Sequence, residues 1–174
     1  MESEQLSILL AEREITRVVL RYARAVDTLD FDQVRECFHP DARVTYGKWF
    51  SGDLNETIAW LSDSLPRLQS TLHDFGTPWI EFNSEGNAAT CETYTTNSAR
   101  YPEDENGQVI LNVSGTRYLD QFEQRGGIWR ILERRNMPIW SLNTPEVPNP
   151  PPPYERADVS KRRPLRTQGK PPSP

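Results

Sequence analysis

The chain has 174 residues, a length typical of a single domain with its own hydrophobic core, and a formal net charge of −5. Residues 155–174 contain six basic and two acidic side chains, so this end is about +4 and the remainder about −9. An acidic body argues against nucleic acid as the main ligand.

The two cysteines and the N-terminal segment of the sequence indicate the cellular compartment in which the protein is expected. Cys37 and Cys91 form neither a disulfide framework nor a zinc-binding spacing, so we expect both to be reduced and buried. The opening segment has acids where a signal peptide needs bases, and no stretch approaches the roughly 20 apolar residues of a membrane span. We therefore expect a soluble, cytoplasmic protein that does not bind membranes.

Helical patterns fill the first part of the chain. Apolar residues recur at three- and four-residue steps over residues 3–28, with arginines between them, which predicts an amphipathic helix. A second helix is expected over residues 31–38, and a third from a cap at Asp53 to just before Pro66. A short strand over residues 42–46 lies between these two helices.

After Pro66 the apolar period changes from helical to two-residue. Four strands are predicted, separated by turns rich in glycine, asparagine and proline, and they cover residues 70–83, 87–101, 108–124 and 128–140. The order of elements predicts an α+β fold, in which a curved antiparallel sheet packs against three N-terminal helices.

The end of the chain is rich in proline. From residue 138 onward it holds eleven of the fifteen prolines, and proline cannot sustain a helix or a central strand. We expect a folded domain over residues 1–140 and a C-terminal extension over 141–174. Apolar residues lie among these prolines, so we expect residues 138–154 to be ordered and to lie over a cavity mouth or across a neighbouring subunit. Residues 161–174 are expected to be mobile.

Asp27 and His73 lie far apart in the sequence but could form a catalytic pair. Asp27 ends the first helix, and His73 lies on the first strand after the third helix. If they meet, one imidazole nitrogen can take a proton from carbon while the other donates to the carboxylate. The alternatives are a strand histidine bonded to a backbone carbonyl, and a helix-end carboxylate bonded to the turn over residues 28–30.

Three segments together resemble the SnoaL-like domain of the nuclear transport factor 2-like superfamily: YARAVDTLDFDQVRECFHPDARVTY, STLHDFGTP and GTRYLDQFEQRGGIWRILERRN. The resemblance spans about residues 6–140 and implies a cone of bent antiparallel sheet plugged by helices. Scytalone dehydratase, a bile acid dehydratase and hexachlorocyclohexane dehydrochlorinase in this superfamily pair a first-helix carboxylate with a strand histidine, and Asp27 and His73 occupy those places. The fold itself does not specify a function.

The resemblance also implies further site residues. Tyr46 and Tyr22 match tyrosines of the two dehydratases and would donate hydrogen bonds to a substrate oxygen, although both could simply be core tyrosines. Arg134 matches an arginine of the dehydrochlorinase that would balance a departing anion; the alternative is a place on the outer face of the sheet. Scytalone dehydratase has a second histidine near the position of Ser98. Further candidates for substrate binding are Asn97, Thr116, Tyr118 and Trp49.

No metal or cofactor is expected. His39 precedes a proline and is interpreted as a surface turn residue, and Asp41 beside it does not complete a metal site. Neither an HxH nor an HExxH spacing occurs, and the glycine pair at 126–127 reads as a hairpin turn rather than a phosphate loop.

The leading hypothesis is a cofactor-independent lyase or isomerase, of the dehydratase or cyclase type. Its substrate would be a hydrophobic hydroxy- or keto-compound of polyketide, steroid or aromatic metabolism, processed by acid–base catalysis at His73 and Asp27. The alternative is a non-catalytic small-molecule binder or the small subunit of a ring-hydroxylating dioxygenase. The missing second histidine favours this alternative, and so does Val26, which stands where scytalone dehydratase has a tyrosine before the aspartate.

We also expect a homo-oligomer, with a dimer preferred over a trimer. Members of the superfamily commonly associate through the outer face of the sheet. The long strands carry more large side chains than one cavity needs, namely Tyr94, Val113, Tyr118 and Phe122.

Overall fold

The fold was obtained as a computed structural model, which describes residues 2–146. Three α-helices pack on a seven-stranded sheet, so the expected α+β class is confirmed. No helix in this part of the chain is long and apolar enough to cross a membrane. The elements are α1 (Glu2–Asp27), α2 (Phe31–Glu36), β1 (Phe38–Tyr46), β2 (Phe50–Asp53), α3 (Leu54–Ser64), β3 (Ser70–Phe75), β4 (Trp79–Phe82), β5 (Ala88–Arg100), β6 (Ile110–Arg125) and β7 (Ile128–Pro145).

Helix α1 ends at Asp27 because the chain reverses sharply there. Leu29 has a φ of 57°, in the left-handed region, and the Asp30 amide donates to the Ala25 carbonyl at 2.9 Å. A leucine in this conformation is uncommon. The turn leaves the Asp27 side chain at the end of the helix, facing β3.

The strands follow the order β2-β1-β7-β6-β5-β3, and β4 also pairs with β5. All these pairs are antiparallel except β1 with β7, which run parallel. This parallel pair was not expected. It joins strands that are distant in sequence and places β1 in the sheet interior, between β2 and β7.

Strand β1 begins at Phe38, four residues earlier than expected. Phe38 pairs with Ile131 of β7, and the side chain of His39 is only 3% exposed, with Nε2 donating to the Glu123 carbonyl at 2.9 Å. The interpretation of His39 as a surface residue is therefore wrong. The sequence around it contains a turn-forming proline but no local signal of the distant strand that covers it.

Two further boundaries differ from the prediction. Residues 50–53, expected within or beside a turn, form β2, and the single strand expected over 70–83 is divided into β3 and β4. Residues 76–78, which include Gly76 and Pro78, separate these two strands. The cap of α3 at Asp53 is present as expected.

Strand β7 continues past Pro138 to Pro145, five residues further than predicted. Its pairing with β1 ends at Asn136, and the register against β6 shifts beside Pro138. A proline is tolerated at such an irregularity, with one side of the strand unpaired. The division into a domain over 1–140 and an extension over 141–174 remains a prediction, and most of the extension, 147–174, lies outside the described residues.

The core lies between α1 and the inner face of the sheet. Ile15, Val19 and Val26 of α1 pack toward Phe122 and Ile131, and all five are at most 1% exposed. Phe122 and Tyr118, which were counted among the large side chains available for association between subunits, are core residues, because they alternate with outward-facing neighbours along β6. Both cysteines are buried as expected, and burial raises the pKa of each thiol to about 12.

Candidate functional site

The structure brings Asp27 and His73 into direct contact. His73 Nδ1 donates to Asp27 Oδ1 at 2.7 Å, and the His73 backbone N–H donates to Asp27 Oδ2 at 2.9 Å. The two side chains are only 15% and 18% exposed. A carboxylate that accepts two bonds from one histidine fixes both the ring orientation and the tautomer.

Thr71 completes this arrangement and was not predicted from the sequence. Its hydroxyl donates to Asp27 Oδ1 at 2.7 Å, and the residue is 6% exposed. Side chains two apart on a strand point to the same face, so Thr71 and His73 both face the end of α1. That two-residue spacing was the available signal in the sequence.

The second imidazole nitrogen is available for chemistry. Nδ1 must carry its proton to donate to Asp27, which leaves Nε2 of the neutral ring as a proton acceptor. Nε2 has no hydrogen-bond partner within residues 2–146, and His73 lines a cavity of about 390 Å³. A ligand in this cavity can therefore meet an unprotonated nitrogen.

The cavity lies between the inner face of the sheet and α3. Its floor is polar, with Asn97, Thr116 and Asn136 among its side chains, and its walls are largely aromatic, with Trp60 and Tyr101 among them. Most residues that line it were not among the predicted site residues, among them Trp60, Tyr101, Asn112, Asn136 and Trp140. The alternation of inward- and outward-facing residues along β5 to β7 is a sequence signal for the polar residues of the floor. The aromatic walls have no such signal, because they come from several elements.

Tyr46 lines the cavity, and Tyr22 lies behind it. Their hydroxyls are hydrogen-bonded to each other, and Trp60 stacks on the Tyr46 ring at a centroid distance of 5.1 Å. Burial raises the pKa of both phenols above the ordinary value, most strongly for Tyr22. Tyr46 is thus a neutral hydroxyl at the cavity wall, while Tyr22, which is 1% exposed and absent from the lining, can act only through it.

Arg134 is an interior residue and not an outer-face one. It is fully buried and forms a bidentate ion pair with Asp120, with bonds of 2.7 and 2.6 Å. Its guanidinium lies 4.0 Å from the Tyr22 ring centroid and 4.7 Å from that of Tyr118. Burial alone would lower the pKa of Arg134, but the charge and hydrogen bonds of Asp120 more than offset it, so the pKa is raised.

The predicted substrate-binding residues divide into two groups. Asn97, Thr116 and Trp49 line the cavity. Arg134 and Tyr118 do not line it; they form a buried layer behind Tyr22 and Tyr46. In this position Arg134 and Tyr118 can hold the two tyrosines in place, but they are not in contact with the cavity in which a ligand would lie. Asp120, the partner of Arg134, was not predicted, although an acid at an inward position between Tyr118 and Phe122 was a signal.

Within residues 2–146, no group of three or more histidine, cysteine and acidic side chains is arranged to hold a metal ion. The other histidine, His39, is committed to a backbone carbonyl in the core.

Solved structures share this fold at low sequence identity. A "Putative Scytalone Dehydratase" from Novosphingobium aromaticivorans aligns with a TM-score of 0.71 and 19% identity, over 79% of this chain and 90% of its own. A hexachlorocyclohexane dehydrochlorinase, LinA-type3, from Novosphingobium barchaimii gives 0.71 and 19%, over 85% and 99%. A Nostoc punctiforme protein of unknown function with a cystatin-like fold gives 0.61 and 19%, over 75% and 92%.

The sequence itself matches one family. Residues 7–135 fit the SnoaL-like domain, which covers most of α1, the other two helices, β1 to β6 and the first part of β7. The fold expected from the resemblance, the nuclear transport factor 2-like or cystatin-like roll, is confirmed by this match and by the structural neighbours. The chain belongs to the SnoaL-like domain family.

Proposed function

We propose that this protein is a cofactor-independent lyase or isomerase of the dehydratase or cyclase type. The observation that carries the proposal is the 2.7 Å bond between His73 Nδ1 and Asp27 Oδ1 beside a cavity that His73 lines. The fold is shared with a dehydrochlorinase and a protein described as a dehydratase, which is compatible with such chemistry. The substrate class is a hydrophobic hydroxy- or keto-compound.

The first step is removal of a proton from a carbon next to a carbonyl. His73 Nε2 takes this proton, and the Asp27 carboxylate stabilises the imidazolium that forms. A positioned general base of this kind contributes roughly 10²–10⁴-fold to the rate. Thr71 keeps the carboxylate oriented during the transfer.

The negative charge that develops on the substrate oxygen has to be stabilised by a hydrogen-bond donor. The Tyr46 hydroxyl is the donor at the cavity wall, and burial raises the pKa of this phenol, which keeps the proton on its oxygen. The leaving hydroxyl then departs, with the proton held on His73 going to it, or the double bond shifts. In the first case the products are water and an unsaturated ketone; in the second, an isomer.

Proton exchange in D₂O tests this proposal. Wild-type protein is expected to introduce deuterium next to the carbonyl of a cyclic hydrophobic hydroxyketone, detected by mass spectrometry within a panel of such compounds. His73→Gln and Asp27→Asn should slow exchange by about 100-fold or more, since each removes the oriented base. His39→Gln is the matched control, because His39 lies outside the cavity.

The opposite result would support a binding function instead. If the protein binds these compounds but the exchange rate is the same for wild-type protein, His73→Gln and Asp27→Asn, the acid–base mechanism is wrong. Co-purification with a large iron–sulfur subunit would indicate the dioxygenase-subunit role.

A further inference from the structure

Asn97 faces the catalytic dyad across one strand pair. It stands directly opposite His73 in the ladder between β5 and β3, and both residues line the cavity. Directly opposed residues have Cβ atoms about 4.5–5.5 Å apart. A ligand in contact with His73 is therefore within reach of the Asn97 amide as well.

The Asn97 amide is held by its own strands. Its Nδ2 donates to Thr116 Oγ1 at 3.0 Å, and Thr116 Oγ1 is hydrogen-bonded to Thr95 Oγ1 at 2.5 Å. Both threonines are 6% exposed. The bonds fix the side chain before any ligand enters, so it loses little conformational entropy on binding.

The other end of this amide is unsatisfied. Asn97 Oδ1 is buried and has no hydrogen-bond partner within residues 2–146. A buried acceptor left without a partner carries an uncompensated cost of desolvation. A hydrogen-bond donor supplied by a ligand would remove that cost.

The cavity lining indicates what kind of ligand supplies the donor. Apart from His73 when protonated, none of the described residues that line it carries a formal charge. A carboxylate or phosphate would lose its water there and find no cation, which is strongly unfavourable. Trp49, Trp60 and Trp140 offer flat apolar surfaces that suit a ring.

We propose that Asn97 determines specificity by accepting a hydrogen bond from a hydroxyl of an uncharged, ring-containing ligand. The amide then selects hydroxylated ligands over their O-alkyl ethers, which fill the same space but have no donor. The inference deepens the proposed function and shares its site. Binding through Asn97, however, does not require that His73 removes a proton.

Equilibrium dialysis at neutral pH tests this with three probes: naphthol, its methyl ether and the naphthoate anion. The wild-type protein is expected to bind naphthol about tenfold more tightly than the ether, because only naphthol satisfies Oδ1. Naphthoate should bind more weakly than naphthol. Equal affinity for naphthol and the ether, or tighter binding of naphthoate, would overturn the proposal.

Variants assign the preference to this side chain. Asn97→Leu should bind naphthol and the ether equally, whereas Asn97→Asp, which keeps an acceptor oxygen at the same place, should retain the preference. Asn55→Leu, at an exposed position on α3, is the matched control and should behave as wild type. A tenfold preference that persists in Asn97→Leu would contradict the assignment. Circular dichroism melting identifies any variant that is not folded.

The two proposals fail separately in this design. His73→Gln should abolish proton exchange while the naphthol preference stays, since the Asn97 amide is held by Thr116 and not by His73. Loss of the preference in His73→Gln would show that the selectivity belongs to the histidine, and would contradict the role of Asn97.

Discussion

At the scale of single residues, the site depends on how one carboxylate is oriented. Asp27 Oδ1 accepts from both Thr71 and His73, and Oδ2 accepts from a backbone N–H. Hydrogen bonds to an ionised group are stronger than neutral ones, which compensates for the partial burial of Asp27. Each of these donors limits the positions available to the carboxylate and thereby to the imidazole.

Removing the threonine hydroxyl should weaken the dyad. Thr71→Val is expected to cost about 2 kcal/mol of stability, the worth of a hydrogen bond to a charged group. It should also lower turnover about tenfold, because a less constrained Asp27 orients His73 less well. Chemical denaturation and the exchange assay measure the two effects.

Thr71→Ser is the control for this prediction, since it keeps the hydroxyl and loses only a methyl group. Its turnover should stay close to that of wild type. If valine and serine at position 71 give the same turnover, the threonine has no role in orienting Asp27.

The sequence was sufficient to identify the pair but not what surrounds it. Asp27 and His73 could be singled out because the chain has two histidines and one acid at the end of the first helix, and because the resemblance to the SnoaL-like domain implies a carboxylate and a histidine at these places. The buried Arg134–Asp120 pair, in contrast, depends on packing behind the tyrosines. Local patterns show which strand positions alternate, but they do not show which face becomes the interior.

At the scale of elements, α3 supports one wall of the cavity. Its Trp60 stacks on Tyr46 and, at 5.0 Å, on Phe50. The helix begins at a capping box in which Glu56 N–H donates to Asp53 Oδ1 at 2.9 Å and Asp53 N–H donates to Glu56 Oε2 at 2.8 Å. The sequence signal for this cap was local, which is why it could be predicted.

Asp53→Ala should destabilise the protein by about 1 kcal/mol, the usual cost of losing an N-cap. Asp53→Asn should cost only a few tenths, because asparagine caps helices about as well as aspartate. Thermal melting compares them. Equal destabilisation by alanine and asparagine would show that the charge of Asp53, and not its cap geometry, is what matters.

The least predictable elements were the ends of the sheet. The parallel pairing of β1 with β7 connects residues about 90 positions apart, and no local pattern reports it. That pairing buries His39, which a local interpretation placed at the surface. Similarly, the prolines after residue 137 indicated a tail, yet a register shift and the end of the β1 pairing let β7 continue.

At the scale of the whole molecule, buried phenols should limit stability at high pH. Burial raises the pKa of Tyr22, Tyr46 and Tyr118 in the folded protein above the ordinary value, which applies in the unfolded chain. The three phenols therefore lose their protons at a higher pH in the folded protein than in the unfolded chain. The stabilisation is fully present below about pH 10 and is lost as the pH rises further, with a slope approaching about 1.4 kcal/mol per pH unit for each tyrosine.

Denaturation curves measured between neutral and strongly alkaline pH test this slope. Tyr118→Phe should flatten it, because the variant has one buried phenol fewer. Tyr94→Phe, at an exposed position, should leave it unchanged. A slope that is insensitive to Tyr118→Phe would contradict the assignment.

The outer face of the sheet should mediate self-association. We propose a homo-oligomer, with a dimer preferred, because large apolar side chains on this face are about half exposed or more: Leu72, Trp79, Tyr94, Met137 and Leu142. Light scattering should give a mass above that of the 20.1 kDa monomer. Tyr94→Lys should shift the protein toward monomer, whereas Leu20→Lys, on α1, should not. A wild-type monomer at micromolar concentration would contradict the proposal.

The protonation state of His73 tests the central claim most directly. The chain has two histidines, and their bonding predicts opposite tautomers: Nδ1–H for His73, which donates to Asp27, and Nε2–H for His39, which donates to a carbonyl. Nitrogen-15 NMR of the imidazole rings distinguishes the two, and His39→Gln assigns the signals. We predict that His73 at alkaline pH has a protonated Nδ1 and an unprotonated Nε2, and that Asp27→Asn disturbs this state. A His73 with its proton on Nε2 would leave the cavity without the proposed base and would contradict the account.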